Sequence, residues 1–173
     1  RMELEEEGLP VSVTLIKPAA IDTPYVEHAK NYLPNEPNNP PPVYAPDTVA
    51  GAILHAAAHP ERDIFVGAGG KMLSVMEKYA PRLTDLYMEK TMFRQQQKDH
   101  PTSHRLGRGD ALHSAGRGLS ERGNYEGHVA ESSVYTQATL HPWITGAILG
   151  AAGVAVAAIL RAPAKEKWDE WRE

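Results

Sequence analysis

An α/β fold resting on a parallel pair of strands joined by a helix is what this sequence predicts, and three stretches predict it. In residues 11–16, Val11, Val13 and Leu15 alternate with Ser12 and Thr14 until Ile16 breaks the pattern. Such a strand is apolar on one face and largely buried on the other. Residues 46–59 place Val49, Ile53, Leu54 and Ala57 on one side of a helix. Asp63 to Val66 is a second, short apolar strand. Two strands with a helix between them form a crossover unit, right-handed when the strands are parallel neighbours. The expected architecture is the edge of a larger parallel sheet, about two strands with flanking helices, whose first strand offers one unpaired side to solvent or another chain. A flexible linker and a hydrophobic tail helix follow.

Taken in order, Arg1 to Glu7 reads as the last turns of a helix, with Gly8 suited to the left-handed position that ends it. Glu5, Glu6 and Glu7 are a solvated helix end before they are a metal site. Opening on Arg1 within a helix suggests the C-terminal piece of a longer domain. Pro18, which has no N–H to give a sheet, is expected to end the first strand's pairing. Ligands of parallel sheets bind beyond the carboxyl ends of the strands. Ile21, Asp22 and Thr23 are therefore the first candidates for a site.

The order strand, Pro18, two small residues, Ile21, one residue, Thr23 resembles the turn after strand six of the classical short-chain dehydrogenase/reductases, Pro-Gly-x-Val/Ile-x-Thr. RMELEEEGLP is similar to the end of that family's catalytic helix, and APDTVAGAILHAAAHPERDIFVG to its next helix and seventh strand. The resemblance covers residues 1–93 and implies the C-terminal edge of a Rossmann-like, doubly wound sheet. It also implies NAD(P) as cofactor and hydride transfer to or from a small carbonyl or alcohol substrate. Pro18, Ala19, Ile21 and Thr23 would then bind the cofactor, the Ile21 backbone and the Thr23 hydroxyl holding the nicotinamide carboxamide. The family's glycine after the proline is Ala19 here. The glycine-rich pyrophosphate turn is absent from the sequence, and no tyrosine has a lysine four places on. No catalytic residue is assigned, and the chain alone is expected to be inactive without an upstream half of the domain.

Pro24 to Pro46, with Pro34, Pro37 and the run Pro40, Pro41, Pro42, cannot be regular helix for long. A long irregular stretch beside a site is either a lid or a surface connection. In the resemblance it is the substrate-covering region, which makes Tyr25, Tyr32 and Tyr44 the candidates for a substrate pocket. Pro46 and Asp47 suit the first turn of the next helix. His55 and His59 stand four apart on it, without a third ligand for a metal. GAGGK at 67–71 fits neither phosphate-loop pattern and reads as a turn from strand into helix. The helix after it carries Met72, Leu73, Val75, Met76 and Tyr79, and Pro81 opens a further amphipathic piece with Leu83, Leu86, Tyr87 and Phe93.

Residues 94–140, rich in Gly, Ser, His and Arg without a sustained period, read as the linker. Arg108, Arg117 and Arg122 each precede glycine, but Asp110, Glu121 and Glu126 dilute their charge. Neither RNA contact nor the tripeptide at 108–110 is read as functional. Residues 141–162 hold an uncharged run from Trp143 to Leu160, and 163–173 are a charged tail. The run is long enough to cross or nearly cross a bilayer, and Gly146 and Gly150 allow close helix approach. Membrane association through this helix is the expectation, a soluble alanine-rich helix docked on a partner the alternative. Arg161, Lys165, Lys167 and Arg172 would keep the tail cytoplasmic. A nicotinamide enzyme would also be cytoplasmic, on the other side of such a span; a helix lying in the interface, or a span oriented by the earlier-folded domain, removes the conflict.

The 173 residues contain no cysteine, which excludes disulfides and thiolate metal sites, and a net charge of -4 argues against a general nucleic-acid binder. The chain therefore reads as the C-terminal part of a short-chain oxidoreductase with a cytoplasmic domain and a membrane-associated tail. Its expected partners are the substrate, the upstream half-domain and the membrane, and homo-oligomerisation is compatible with this. The competing class is a non-enzymatic, membrane-tethered interaction module.

Overall fold

The computed structural model describes residues 1–101 and 120–161. Arg108, Arg117, the tripeptide at 108–110 and the tail at 163–173 lie outside the described residues. The chain divides into two compact units, Arg1–Leu140 and His141–Glu173.

The first unit is mixed α/β. Helix α1 (Met2–Glu6) closes on Gly8, whose φ is +67°. Gly8 N–H donates to the Glu5 carbonyl at 3.1 Å and Leu9 N–H to the Leu4 carbonyl at 2.9 Å. These two bonds satisfy carbonyls that the helix end leaves open. Strand β1 (Leu15–Pro18) follows, then β2 (Ala20–Ile21), the single turn α2 (Tyr25–His28), β3 (Asn35–Pro37) and β4 (Val43–Tyr44). Helix α3 spans Pro46–Ala58 and leads to β5 (Asp63–Val66). Next come α4 (Ala68–Tyr79) and α5 (Pro81–Tyr87), which continues through a π-helical turn (Met88–Met92) into α6 (Phe93–Gln95). Strand β6 (Gln97–Pro101), strand β7 (Val129–Ala130) and helix α7 (Val134–Leu140) complete it.

Strands β1 and β5 are parallel, in register from Leu15 with Asp63 to Pro18 with Val66. No other strand pairs with β1 among the described residues. The strand is shorter than its sequence pattern and displaced toward its end: Val11 to Thr14 do not pair. Its ladder is only as long as its neighbour, and β5 begins at Asp63. Thr14 is held instead by its hydroxyl, which donates to the Glu61 carbonyl at 2.6 Å.

Helix α3 buries Thr48 and Ala52, and Ala52 joins Ile64, Val66 and Leu140 in the core with Ile16, Val49 and Ala56 against them. The predicted face was rotated. Ile53 and Leu54 are 52% and 72% exposed. The small side chain of Ala52 lets the helix close on the sheet, and packing distance, not hydrophobicity residue by residue, chose the face. Ile53, Ala56 and Ala57 instead line an open groove of about 240 Å³ with Ser12, Thr14 and Ile16.

Ordered structure occurs within the expected linker, at both ends of the range 94–140. Strand β6 pairs antiparallel with β3 of the proline-rich stretch. Strand β7 adds to β4 in parallel, giving a second sheet ordered β2-β4-β7. Ser133 then caps α7, its Oγ accepting the Thr136 N–H at 3.2 Å, and Leu140 closes the core.

The second unit contains α8 (Pro142–Arg161), 20 residues that include an 18-residue stretch of mean hydropathy 2.1. By length and composition it is able to span a bilayer, and its large apolar side chains, from Trp143 to Leu160, are exposed.

Candidate functional site

The turn beyond β1 is built by strand parity. Leu15 and Ala19 donate their N–H groups to the carbonyls of Arg62 and Val66 at 3.1 and 2.8 Å. Alternate N–H groups thus face β5, and that of residue 18 would face away from it. Proline at 18 therefore removes nothing from the ladder. The strand ends at Pro18, as the sequence suggests, but with Pro18 itself in register opposite Val66.

Past Ala19 the chain enters β2, where Ile21 stands opposite Tyr44. Asp22 is buried at 5% exposure, and its N–H donates to the Tyr44 carbonyl at 3.0 Å. The Ile21 carbonyl accepts two hydrogen bonds, from Thr23 N–H at 3.0 Å and from Asn39 Nδ2 at 3.2 Å. Both its lone pairs are thereby used. The Thr23 hydroxyl has no hydrogen-bond partner among the described residues. A hydroxyl both donates and accepts, which fits either end of a carboxamide. The turn thus fits such a group at Thr23, and the Ile21 carbonyl has no capacity left for one.

Opposite this turn, Gly67 joins β5 to α4 at φ +93°. A Cβ on Gly67 would lie 2.8 Å from the Ala19 Cβ and 2.7 Å from Cε2 of Tyr44, and one on Gly70 would lie 3.7 Å from Ala19. Glycines at 67 and 70 keep the two turns close although residue 19 carries a side chain. The GAGGK stretch is a strand-to-helix turn in the structure.

The three tyrosines fall in different surroundings. Tyr44 is buried with its ring on Gly67, whereas Tyr25 and Tyr32 are 76% and 84% exposed. His55 and His59 stack at 4.7 Å, and His55 Nε2 lies 3.6 Å from Glu61. On α2, His28 Nδ1 is buried without a hydrogen-bond partner among the described residues.

Sequence reasoning missed the downstream segment that meets this turn. A Cβ on Gly123 would lie 2.6 Å from the Thr23 carbonyl oxygen and 2.9 Å from Asp22 Oδ1. Tyr125 N–H points to the same carboxylate oxygen at 3.4 Å. Arg122 clasps Glu131 with two bonds of 2.8 and 2.6 Å, and Ala45 N–H donates to the Ala130 carbonyl at 3.0 Å. Further on, Thr136 Oγ1 accepts the Gly67 N–H at 3.0 Å. One signal was present in the sequence: a serine N-cap, Ser133, before the partly apolar run 134–140.

The clasp carries a pH dependence. The hydrogen bond from Arg122 holds the Glu131 carboxyl below its ordinary value, and the charges of Arg122 and His128 act in the same direction. A carboxyl depressed by folding stabilises the fold above its ordinary pKa, and that stabilisation is lost as pH falls through the lowered value. Amide protection over residues 123–130, corrected for intrinsic exchange, should be constant near neutrality and fall on acidification past the ordinary carboxylate range. Protection that persists once Glu131 is protonated would exclude the ion pair as the fastening.

No protein-family profile matches the chain, and no solved structure matches it. It is similar to the uncharacterized oxidoreductase YxnA of Bacillus subtilis (strain 168), with 45% identity over 150 residues. That stretch is 86% of this chain and 42% of the relative, so the chain spans about two-fifths of the length of the curated relative it matches. A match of 150 residues cannot be contained within residues 1–93, and the similarity therefore continues into the downstream segment that meets the turn.

Proposed function

We propose that the chain belongs to an NAD(P)-dependent oxidoreductase of the short-chain dehydrogenase/reductase kind and supplies the nicotinamide side of its cleft. The observation that carries the proposal is the unpartnered Thr23 hydroxyl beyond the carboxyl ends of a parallel strand pair, in the sequence frame Pro18, Ala19, Ile21, Thr23. The relative named as an oxidoreductase supports a redox reaction. The cofactor, when bound, would supply hydride exchange with a small carbonyl or alcohol. Thr23 would bond the carboxamide and so fix which face of the nicotinamide ring meets the substrate. Asn39 and the Thr23 N–H, by occupying the Ile21 carbonyl, hold the turn in the conformation that presents this hydroxyl. Proton transfer would fall to groups other than a Tyr-x-x-x-Lys pair of these 173 residues, since they contain none. Tyr25 and Tyr32, both exposed, would meet substrate from the proline-rich side, with the buried Tyr44 packing against Gly67. In the same reading α8 tethers a cytoplasmic enzyme to the membrane.

Thr23→Val in the intact protein tests the site. The loss of one hydrogen bond, about 0.5–1.5 kcal/mol, should weaken NAD(P)H binding by roughly two- to tenfold. Thermal stability should be unchanged, and Thr23→Ser should restore most of the affinity. Unaltered affinity for the dinucleotide would remove Thr23 from the site.

A further inference from the structure

The ends of both parallel strands are met by chain that arrives far downstream. Gly123 and Tyr125 lie on the Asp22–Thr23 turn that follows β2, the short strand after β1, and Thr136 takes the Gly67 N–H at the end of β5. Between these contacts, β7 is fixed beside β4, which itself pairs with β2. The segment therefore reaches every strand end that frames the candidate site.

Its chemistry at the turn is selective. Residue 123 approaches the Thr23 carbonyl so closely that a Cβ there would stand at 2.6 Å, inside any normal contact. The contact uses the carbonyl of Thr23 and the carboxylate of Asp22, and it leaves the Thr23 hydroxyl unbonded. Asp22 is buried and needs donors, and the Tyr125 N–H is one directed at it. Arg122 and Glu131, bonded twice, close the loop that carries both residues.

We infer that residues 122–131 are a wall of the nicotinamide site, with Gly123 and Tyr125 as positioning residues that fix the Asp22–Thr23 turn so that the Thr23 hydroxyl stays available to the carboxamide. This rests on the cofactor reading above. A wall of this kind acts on the nicotinamide end of a dinucleotide and leaves the adenosine end alone.

The test is direct binding to the intact protein by calorimetry, with NADH and NADPH as one pair of probes and ADP-ribose and its 2′-phosphate as the other. The second pair lacks nicotinamide. Gly123→Ala should weaken the dinucleotides roughly two- to tenfold, the equivalent of about one hydrogen bond, and leave the ADP-riboses unchanged. Should Gly123→Ala fail to fold, the double variant Arg122→Ala/Glu131→Ala opens the clasp without adding an atom, and the same split is expected. Gly51→Ala is the control, because a Cβ at that exposed helical position meets nothing within 4 Å. Equal weakening of both probe pairs, or no weakening of either while Thr23→Val weakens the dinucleotides, overturns the wall and leaves the cofactor reading standing. Failure of the parent protein to bind any dinucleotide overturns both.

Discussion

Val154→Arg should transfer the intact protein from the membrane pellet to the soluble fraction. Helix α8 has 20 residues, Pro142 to Arg161, and at 1.5 Å per residue it reaches about 30 Å, the thickness of a hydrocarbon core. Its apolar content is spread thinly: alanine and glycine fill much of the segment, so the insertion energy rests on Ile144, Ile148, Leu149, Val154, Val156, Ile159 and Leu160. An arginine near the centre of a span costs about 2.5–3.5 kcal/mol on insertion scales. That is a large share of what so few large residues contribute. Val154→Leu should stay in the pellet, and a chain ending at Leu140 should behave like the arginine variant. Parent protein found wholly in the soluble fraction without detergent would end the tether.

Gly67→Ala should destabilise the intact protein by about 3 kcal/mol, the sum of backbone strain at a conformation suited to glycine and of overpacking. At φ +93° and ψ 134° an alanine is strained whatever space surrounds it. Here the new Cβ also meets the Tyr44 ring at 2.7 Å and the Ala19 Cβ at 2.8 Å. Neither obstacle gives way easily, since Tyr44 is 7% exposed within a three-stranded sheet and Ala19 is fixed to the Val66 carbonyl. Domain stabilities are about 5–15 kcal/mol, so the loss is a large fraction of the whole. Urea unfolding measures it. A midpoint within error of the parent would mean that the two turns are not in contact.

What the sequence revealed was what depends on neighbours in the chain. Gly8 as a helix stop, Pro46 as a helix start and Asp63 to Val66 as a strand all follow from local backbone chemistry, and they stand where that chemistry puts them. Three features depended on distant partners and were misread. The length of β1 is set by β5; the buried face of α3 is set by how closely Ala52 approaches Ile64 and Val66. The polar segment around Tyr125 has no period that would mark it as structured, because backbone bonds and the ion pairs of Arg122 with Glu131 and of Lys98 with Glu126 hold it where an apolar face would otherwise be needed. At the candidate turn, Thr23 could be nominated from its spacing after Pro18. Gly123 and Asn39 could not be, since a glycine and an amide acquire a role only once the fold brings a carbonyl within their reach.

The pairing of β4 with β7 also sets a timetable for biogenesis. Tyr44 and Ala130 are register partners, and at about 5–20 residues per second a ribosome needs roughly 4–17 s to make the chain between them. During that interval the edge of β4 is bare, Asp22 has yet to meet Tyr125, and the candidate cleft lacks one side. Long-range parallel pairing of this kind forms slowly, so the nascent chain offers an open β-edge to chaperones or to its neighbours on the polysome. The candidate cleft can gain that side only after residues 122–131 have been made and have left the ribosome.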